Sequence, residues 1–317
     1  MTPLEAAWEA VLERPDDDRA LHVLGDALLE IGDPLGELVE LGLAPNVDLD
    51  QVHQYVATHA RALLGGEESR LHLWGPMFER GFVVKATIGF RTELEVLLTL
   101  PIGRLLRELR VNEVPSAVLT TLKRTPARCL ERLTLTGSTS TVDAPLPVAQ
   151  LLATTPRLER LHLDVASLDW RDTTNSTLRM LGFELGARSF DMAGARLEAL
   201  EALYLTLPFA QTRLGEELLS GEVSPRLQTL TIAGAMWPSQ LELISHSALL
   251  PKLRALHLMG ETATGWYPVL LQRVEAFRHL EKIAMRPDPN HPEWVTAVRE
   301  LLPNATMITE TPALPAS

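Results

Sequence analysis

Along most of this chain of 317 residues, apolar positions recur in one fixed order: an apolar residue, two others, an apolar residue, one other, an apolar residue. The order stands at Leu106, Leu109 and Val111, at Leu130, Leu133 and Leu135, at Leu158, Leu161 and Leu163, and at Leu200, Leu203 and Leu205. It returns at Leu227, Leu230 and Ile232, at Leu253, Leu256 and Leu258, and at Leu280, Ile283 and Met285. Successive first positions lie 24, 28, 42, 27, 26 and 27 residues apart, and the gap of 42 has room for an irregular copy at Leu178, Leu181 and Phe183. Weaker copies lie at Val83, Ala86 and Ile88 and at Ala305 and Ile308. The last two apolar positions of each copy alternate with other residues, which is the period of a strand with one buried face. Segments 117–122, 148–152 and 269–274 carry helical spacing, and Pro126, Pro156, Pro225 and Pro251 stand shortly before a following strand. The chain therefore predicts strands alternating with return segments, several of them helical.

The first 64 residues obey a different rule. Leu4, Ala7, Trp8, Val11 and Leu12 fall on one face of a first helix, which Pro15 and the run Asp16-Asp17-Asp18 end. An Asp of that run is expected to cap a second helix whose inward face carries Leu21, Leu24, Leu28 and Ile31, with Gly32 as the exit. Asp33-Pro34 then reads as a cap followed by proline at the first helical position, opening a third helix lined by Leu35, Leu38, Val39 and Leu41. Residues 46–64, with Leu49, Val52, Val56, Ala60, Leu63 and Leu64 apolar and Gly65-Gly66 behind them, predict a fourth. Three helices in about 43 residues bury little surface, so the module is expected to dock on the repeated part of the chain.

Self-similarity at this period is the mark of stacked repeats, and the seven clear copies resemble leucine-rich repeats. The stretches Pro15-Asp16-Asp17-Asp18, Leu21-His22-Val23-Leu24-Gly25-Asp26-Ala27-Leu28 and Gly32-Asp33-Pro34-Leu35-Gly36-Glu37-Leu38 resemble the bacterial repeat-companion domain, a short module found ahead of such arrays. The family's second helix usually reads Tyr-Ala-Asp-Trp-Leu where this chain has Leu24-Gly25-Asp26-Ala27-Leu28. Trp74-Gly75-Pro76 and Gly81-Phe82 resemble the usual entry from module to array. The resemblance implies an α/β fold: a leucine-rich-repeat solenoid, with a curved parallel sheet and helices on the convex side, behind a small all-α module. The expected divisions are 1–43 for the module, 44–75 for a helical connector, 76–310 for the array and 311–317 for a flexible tail. Many such repeats place Asn or Cys just beyond the last apolar residue; here Val114, Ser138, Ala166, Gly186, Pro208, Ala235, Glu261 and Asp288 stand there, so the turns are expected to be irregular.

Composition narrows the function. Apolar residues are 46% of the chain and aromatics 5%, so the core must be aliphatic. Of the net charge of −12, residues 1–50 carry −11, from thirteen acidic and two basic side chains, and the rest carries −1. Neither part offers the clustered positive field that phosphates require, so no nucleic-acid partner is expected. No run of about 18 apolar residues occurs, and Met1-Thr2-Pro3-Leu4-Glu5 has no basic patch ahead of an apolar stretch, so no membrane association and a cytoplasmic location are expected. One cysteine, Cys129, allows no internal disulfide.

Catalytic signatures are missing from the sequence: no phosphate-cradling Gly-x-x-x-x-Gly-Lys, no dinucleotide fingerprint, no Gly-x-Ser-x-Gly and no His-Glu-x-x-His. Cys129 has no histidine beside it, and His53 and His59 are six residues apart and do not align on a helix. No cofactor, metal or catalytic residue is expected, and the chain reads as a non-catalytic scaffold or adaptor for a protein partner. Alternatives are the recognition part of an effector or ubiquitin-ligase-like system whose catalytic domain lies elsewhere, and a purely structural component. The contact surface would be the concave strand face, with Glu108, Arg110, Arg132, Thr134, Arg160, His162, Tyr204, Thr229, Thr231, His257 and Lys282 pointing outward. Arg110, Arg132 and Arg160 could form a basic strip for an acidic partner, the chain's own N-terminal module included, with Glu108 and Asp164 expected to neutralise it.

Overall fold

The computed structural model describes residues 1–66, 69–137, 145–165, 168–185, 189–190, 192, 194–207, 213–234, 238–259, 265–288 and 290–307. The ladder positions Ser138, Ala166, Gly186, Pro208, Ala235 and Glu261, Ile308 and the tail 311–317 lie outside them. The chain divides into two compact units, residues 1–138 with 150–158, and residues 139–149 with 159–317.

The first unit begins with three helices, α1 (Pro3–Glu13), α2 (Asp18–Glu30) and α3 (Pro34–Leu43). Thr2 and Glu5 close α1 with a reciprocal capping box. Asp17 is the capping member of the aspartate run, its Oδ1 accepting from the Arg19 and Ala20 amides, and Asp33 Oδ1 accepts from Leu35 N with Pro34 behind it. Leu21, Leu24, Leu28, Leu35, Leu38 and Val39 are buried as their spacing requires. Ile31 is not: α2 stops at Glu30, the chain turns at Gly32 (φ 71°), and Ile31 is 63% exposed.

The fourth helical stretch is two helices, α4 (Leu49–Thr58) and α5 (Ala60–Leu63), broken at His59, and Leu49 is exposed. A short α6 (Ser69–Trp74), within the expected helical connector, leads into strands β1 (Met77–Glu79) and β2 (Phe82–Ile88). These two form an antiparallel hairpin whose turn residues Arg80 (φ 52°) and Gly81 (φ 84°) are both left-handed, the twist that suits a two-residue hairpin. β3 (Glu108–Val111) and β4 (Arg132–Thr136) then add in parallel, with Ala86, Leu109 and Leu133 in register. The helices α7 (Arg91–Thr99) and α8 (Pro115–Arg124) return the chain between them. In α8 proline takes the first turn, Val118, Leu119 and Leu122 face inward, and Lys123 and Arg124 sit at the negative end of the helix dipole.

The second unit holds seven parallel strands, in sequence order side by side: Arg160–Val165, Met180–Leu185, Ala202–Leu207, Thr229–Gly234, Ala255–Met259, Lys282–Met285 and Ala305–Met307. The Met180–Leu185 strand fills the long sequence gap, with Leu181 in register with Leu161 and Leu203. Leu161, Leu181, Leu203, Leu230, Leu256 and Ile283 form one continuous buried row. Helices Pro238–His246 and Trp266–Gln272 return the chain late in this unit. The returns before Met180 and Ala202 instead carry two-residue strands, such as Thr174–Asn175 paired with Arg196–Leu197. Those segments are rich in Thr, Asn, Asp, Ser and Gly, which favour turns over helix, so the expected helical layer is interrupted there. Trp170 substitutes as filling, buried edge-on against Phe183 with ring centres 5.5 Å apart.

The whole is a mixed α/β protein of mostly parallel strands preceded by helices. Among the described residues no helix is long and apolar enough to cross a membrane.

Candidate interaction surface

In a strand with one buried face the side chains between the leucines must point the other way. In the first unit these are Lys85, Glu108 and Arg132 in one row and Thr87, Arg110 and Thr134 in the next, aligned by register. Glu108 lies between two cations, 2.5 Å from Lys85 Nζ and 3.4 Å from Arg132 Nη1, and its side chain is only 17% exposed. Arg132 is thus held as expected, whereas Arg110 is exposed and forms no ion pair among the described residues. Thr134 is half-buried beside it. At the next step along the strands, Thr136 Oγ1 donates to Asn112.

In the second unit one row runs Arg160, Met180, Ala202, Thr229, Ala255, Lys282 and the next runs His162, Gly182, Tyr204, Thr231, His257, Ala284. His162 owes its position to Gly182: a Cβ there would lie 2.5 Å from His162 Nδ1, so only glycine lets the imidazole lie across the neighbouring strand. Its Nε2 stands 3.6 Å from Glu184 Oε1. Glu184 and Asp164 are in register on adjacent strands. Burial, then the Glu184 charge, push the Asp164 carboxyl above its ordinary value, against the opposing pull of His162. Asp164 therefore answers to Glu184 and His162, and no ion pair joins it to Arg160, which departs from the neutralisation expected.

Two strands on, Thr231 Oγ1 lies 3.2 Å from His257 Nδ1. Burial, with Lys282 next, lowers the His257 pKa and keeps the ring neutral, and its Nε2 is covered with no partner among the described residues. Thr231 itself is only 7% exposed, so it presents little to a partner. Tyr204 and Thr229 are half-buried and Lys282 is exposed. The outward residues of the irregular copy, Met180, Gly182 and Glu184, were not among the candidates, although the same spacing rule points to them. Lys85 and Thr87 were passed over likewise.

Among the described residues of the first unit, the N-terminal acids form ion pairs with arginines other than Arg110 and Arg132. Asp16 Oδ1 pairs with Arg107 at 2.5 Å and Arg80 at 3.3 Å, Asp18 with Arg80 at 2.9 Å, and both Glu9 oxygens with Arg128 at 2.9 Å. Arg157 caps the last turn of α1 through Glu13 O at 2.6 Å, and the Arg104 guanidinium lies 4.5 Å over the Trp8 ring. These arginines sit just before the strands, and of them Arg107 alone falls within the repeated pattern, at one of the two positions between Leu106 and Leu109. Cys129 lies beneath α1, its Sγ 4.0 Å from Leu12 O, and burial raises its pKa despite Arg157, Arg107 and Arg128 nearby. A thiol so placed stays protonated and is a packing residue.

His53 meets the edge of Phe78 and His59 stacks on Tyr55, so each has a structural contact. Among the described residues no group of three or more His, Cys, Asp or Glu is arranged to hold a metal. A cleft of about 740 Å³ in the second unit is lined by Asp172, Glu198, Glu217, Glu222 and Arg196 among others. No known protein family matches the chain, and no curated protein does.

Proposed function

We propose that the chain is a non-catalytic, leucine-rich-repeat scaffold of the cytoplasm that binds another protein along its outward strand face, with the N-terminal module, of repeat-companion type, as its cap. The observation that carries this reading is the register. Within each unit, outward side chains at equivalent pattern positions fall in straight rows on neighbouring strands, as Tyr204, Thr231 and His257 do. Side chains held in this way lose little entropy when a partner arrives, which is how extended repeat surfaces recognise proteins. Support also comes from the polar members of the rows, such as Arg160, Thr229, Lys282, Tyr204 and His257, and from the structural contacts of Cys129, His53 and His59. Affinity capture from native cells with the wild type and with an Arg132→Glu, Tyr204→Ala variant tests it. A partner retained by the first and lost by the second supports the outward face; equal recovery of every partner removes it.

A further inference from the structure

The module docks through Glu9, Asp16 and Asp18, and its second helix leaves a face that the fold does not use. Val23, on α2, is 60% exposed, and Ile31, the C-cap residue just past its last turn, is 63% exposed; with half-buried Ala27 between them they leave aliphatic surface along the outer side of α2 and over its end. β-branched residues are poorer helix formers than Lys or Glu, and in water these two gain nothing from packing. They do not stabilise the helix. Alongside run Asp26 and Glu30, both exposed and neither in an ion pair among the described residues. Arg19 is the one Lys or Arg on the helix and lies at its N-terminal end; His22 is occupied with Glu40 at 3.1 Å. Leu29 (40%) adds exposed aliphatic surface to the same helix.

Aliphatic surface bordered by free carboxylates, in a segment carrying −11 of the chain's −12, is complementary to one kind of surface. We infer that the outer face of α2 is a docking site for a basic amphipathic helix of a partner protein, whose apolar side covers Val23, Ala27 and Ile31 and whose Lys or Arg residues meet Asp26 and Glu30. Amphipathic helices dock by covering exposed aliphatic surface with their apolar face, and the surrounding field speeds encounter with a cationic partner. This surface is separate from the outward strand face, so either can fail without the other.

The test uses the whole chain and two synthetic amphipathic peptides, one of lysine and leucine and one of glutamate and leucine, read by fluorescence anisotropy with hydrogen exchange to map the footprint. The lysine peptide is expected to bind, to protect α2, and to weaken at least tenfold with Val23→Ser, Ile31→Ser. Asp26→Asn, Glu30→Gln is expected to weaken it severalfold and to flatten its salt dependence, while Leu243→Ser, elsewhere on the surface, leaves it unchanged. Far-ultraviolet dichroism and the melting temperature show whether each variant keeps the fold. No binding of the lysine peptide, equal binding to the serine variant, or equal binding of the glutamate peptide overturns the proposal. So does a homodimer of the chain alone that the serine substitutions dissolve, since the occupant is then a second copy.

Discussion

Arg107 and Asp16 stand 91 positions apart in the chain and 2.5 Å apart in the structure, and their pair ties the acidic module to the start of β3. The Arg107 hydrogen bond is the largest influence on Asp16 and holds its carboxyl below the ordinary value, although burial opposes it. Asp16 is 68% exposed, so water screens the pair, and Arg107→Ala is expected to cost about 1 kcal/mol. With a depressed folded-state pKa, the contribution is present above the unfolded carboxylate value near ~3.9 and is lost as pH falls through the lower folded value. Urea denaturation of wild type, Arg107→Ala, Asp16→Ala and the double variant at pH 7 and pH 3 checks this. A coupling that is absent at pH 7, or unchanged at pH 3, contradicts it.

Charge is only one part of that docking. A Cβ on Gly42 would lie 2.3 Å from Gly81 N, and one on Gly81 2.6 Å from Leu38 O, so α3 and the hairpin turn touch backbone to backbone. Gly81 also has φ 84°, where an L side chain is strained. Gly81→Ala is expected to destabilise by about 2–4 kcal/mol and Gly42→Ala by a similar amount, from steric clash, with strain added at Gly81. Thiol labelling of Cys129, shielded under α1, should quicken in both. Midpoints and labelling rates like wild type would show that the two backbones are not in contact.

How much of the fold and its surface was legible depends on which contacts are local. Leu109 and Val111 announce a half-buried strand by their spacing, and Asp33-Pro34 announces a helix start by its chemistry; both rest on a few adjacent residues. Ile31 misled because helical spacing holds only while the helix does, and Gly32 ends it. Met77, Phe78 and Glu79 are too few to show a period, so β1 went unread. The returns around Trp170 and Met192 carry no helical spacing like that of segments 117–122 or 269–274, and their Thr, Asn and Gly favour turns. The partners of Asp16 could not be read at all, because nothing near Arg107 in sequence says which carboxylate will come to it. Gly182 had the right position in the pattern, yet only the neighbouring His162 explains why it is glycine.

His257 should titrate below its ordinary value, because burial and Lys282 both disfavour the charged ring. A depressed histidine makes its contribution above the unfolded value of about 6.5, and that contribution is lost as pH falls toward the folded value. Stability is therefore expected to decline between neutral pH and pH 5 in the wild type and to decline less in His257→Gln, which still reaches Thr231. Ring-proton chemical shifts tracked through that range give the titration directly. A His257 midpoint at or above the ordinary histidine value of about 6.5 refutes the assignment.

Asp164 carries the opposite sign. Its carboxyl is raised, first by burial and then by Glu184, so the native state holds its proton more tightly than the unfolded chain does. The favourable contribution is complete below the unfolded carboxylate value and disappears as pH rises through the folded one, leaving two facing carboxylates at neutral pH. Asp164→Asn removes the repulsion while keeping the shape, and is expected to stabilise by up to about 1 kcal/mol at pH 7. The advantage should shrink when both proteins are compared at pH 4, because the wild-type residue, its carboxyl raised, is more fully protonated there than at pH 7. Glu184→Gln should give a smaller gain, because it removes the neighbouring charge and leaves Asp164 buried, and combining the two should add little to Asp164→Asn alone. Denaturation midpoints at the two pH values decide it: a gain that persists unchanged at pH 4, or gains that simply add, would mean that the carboxylates act independently.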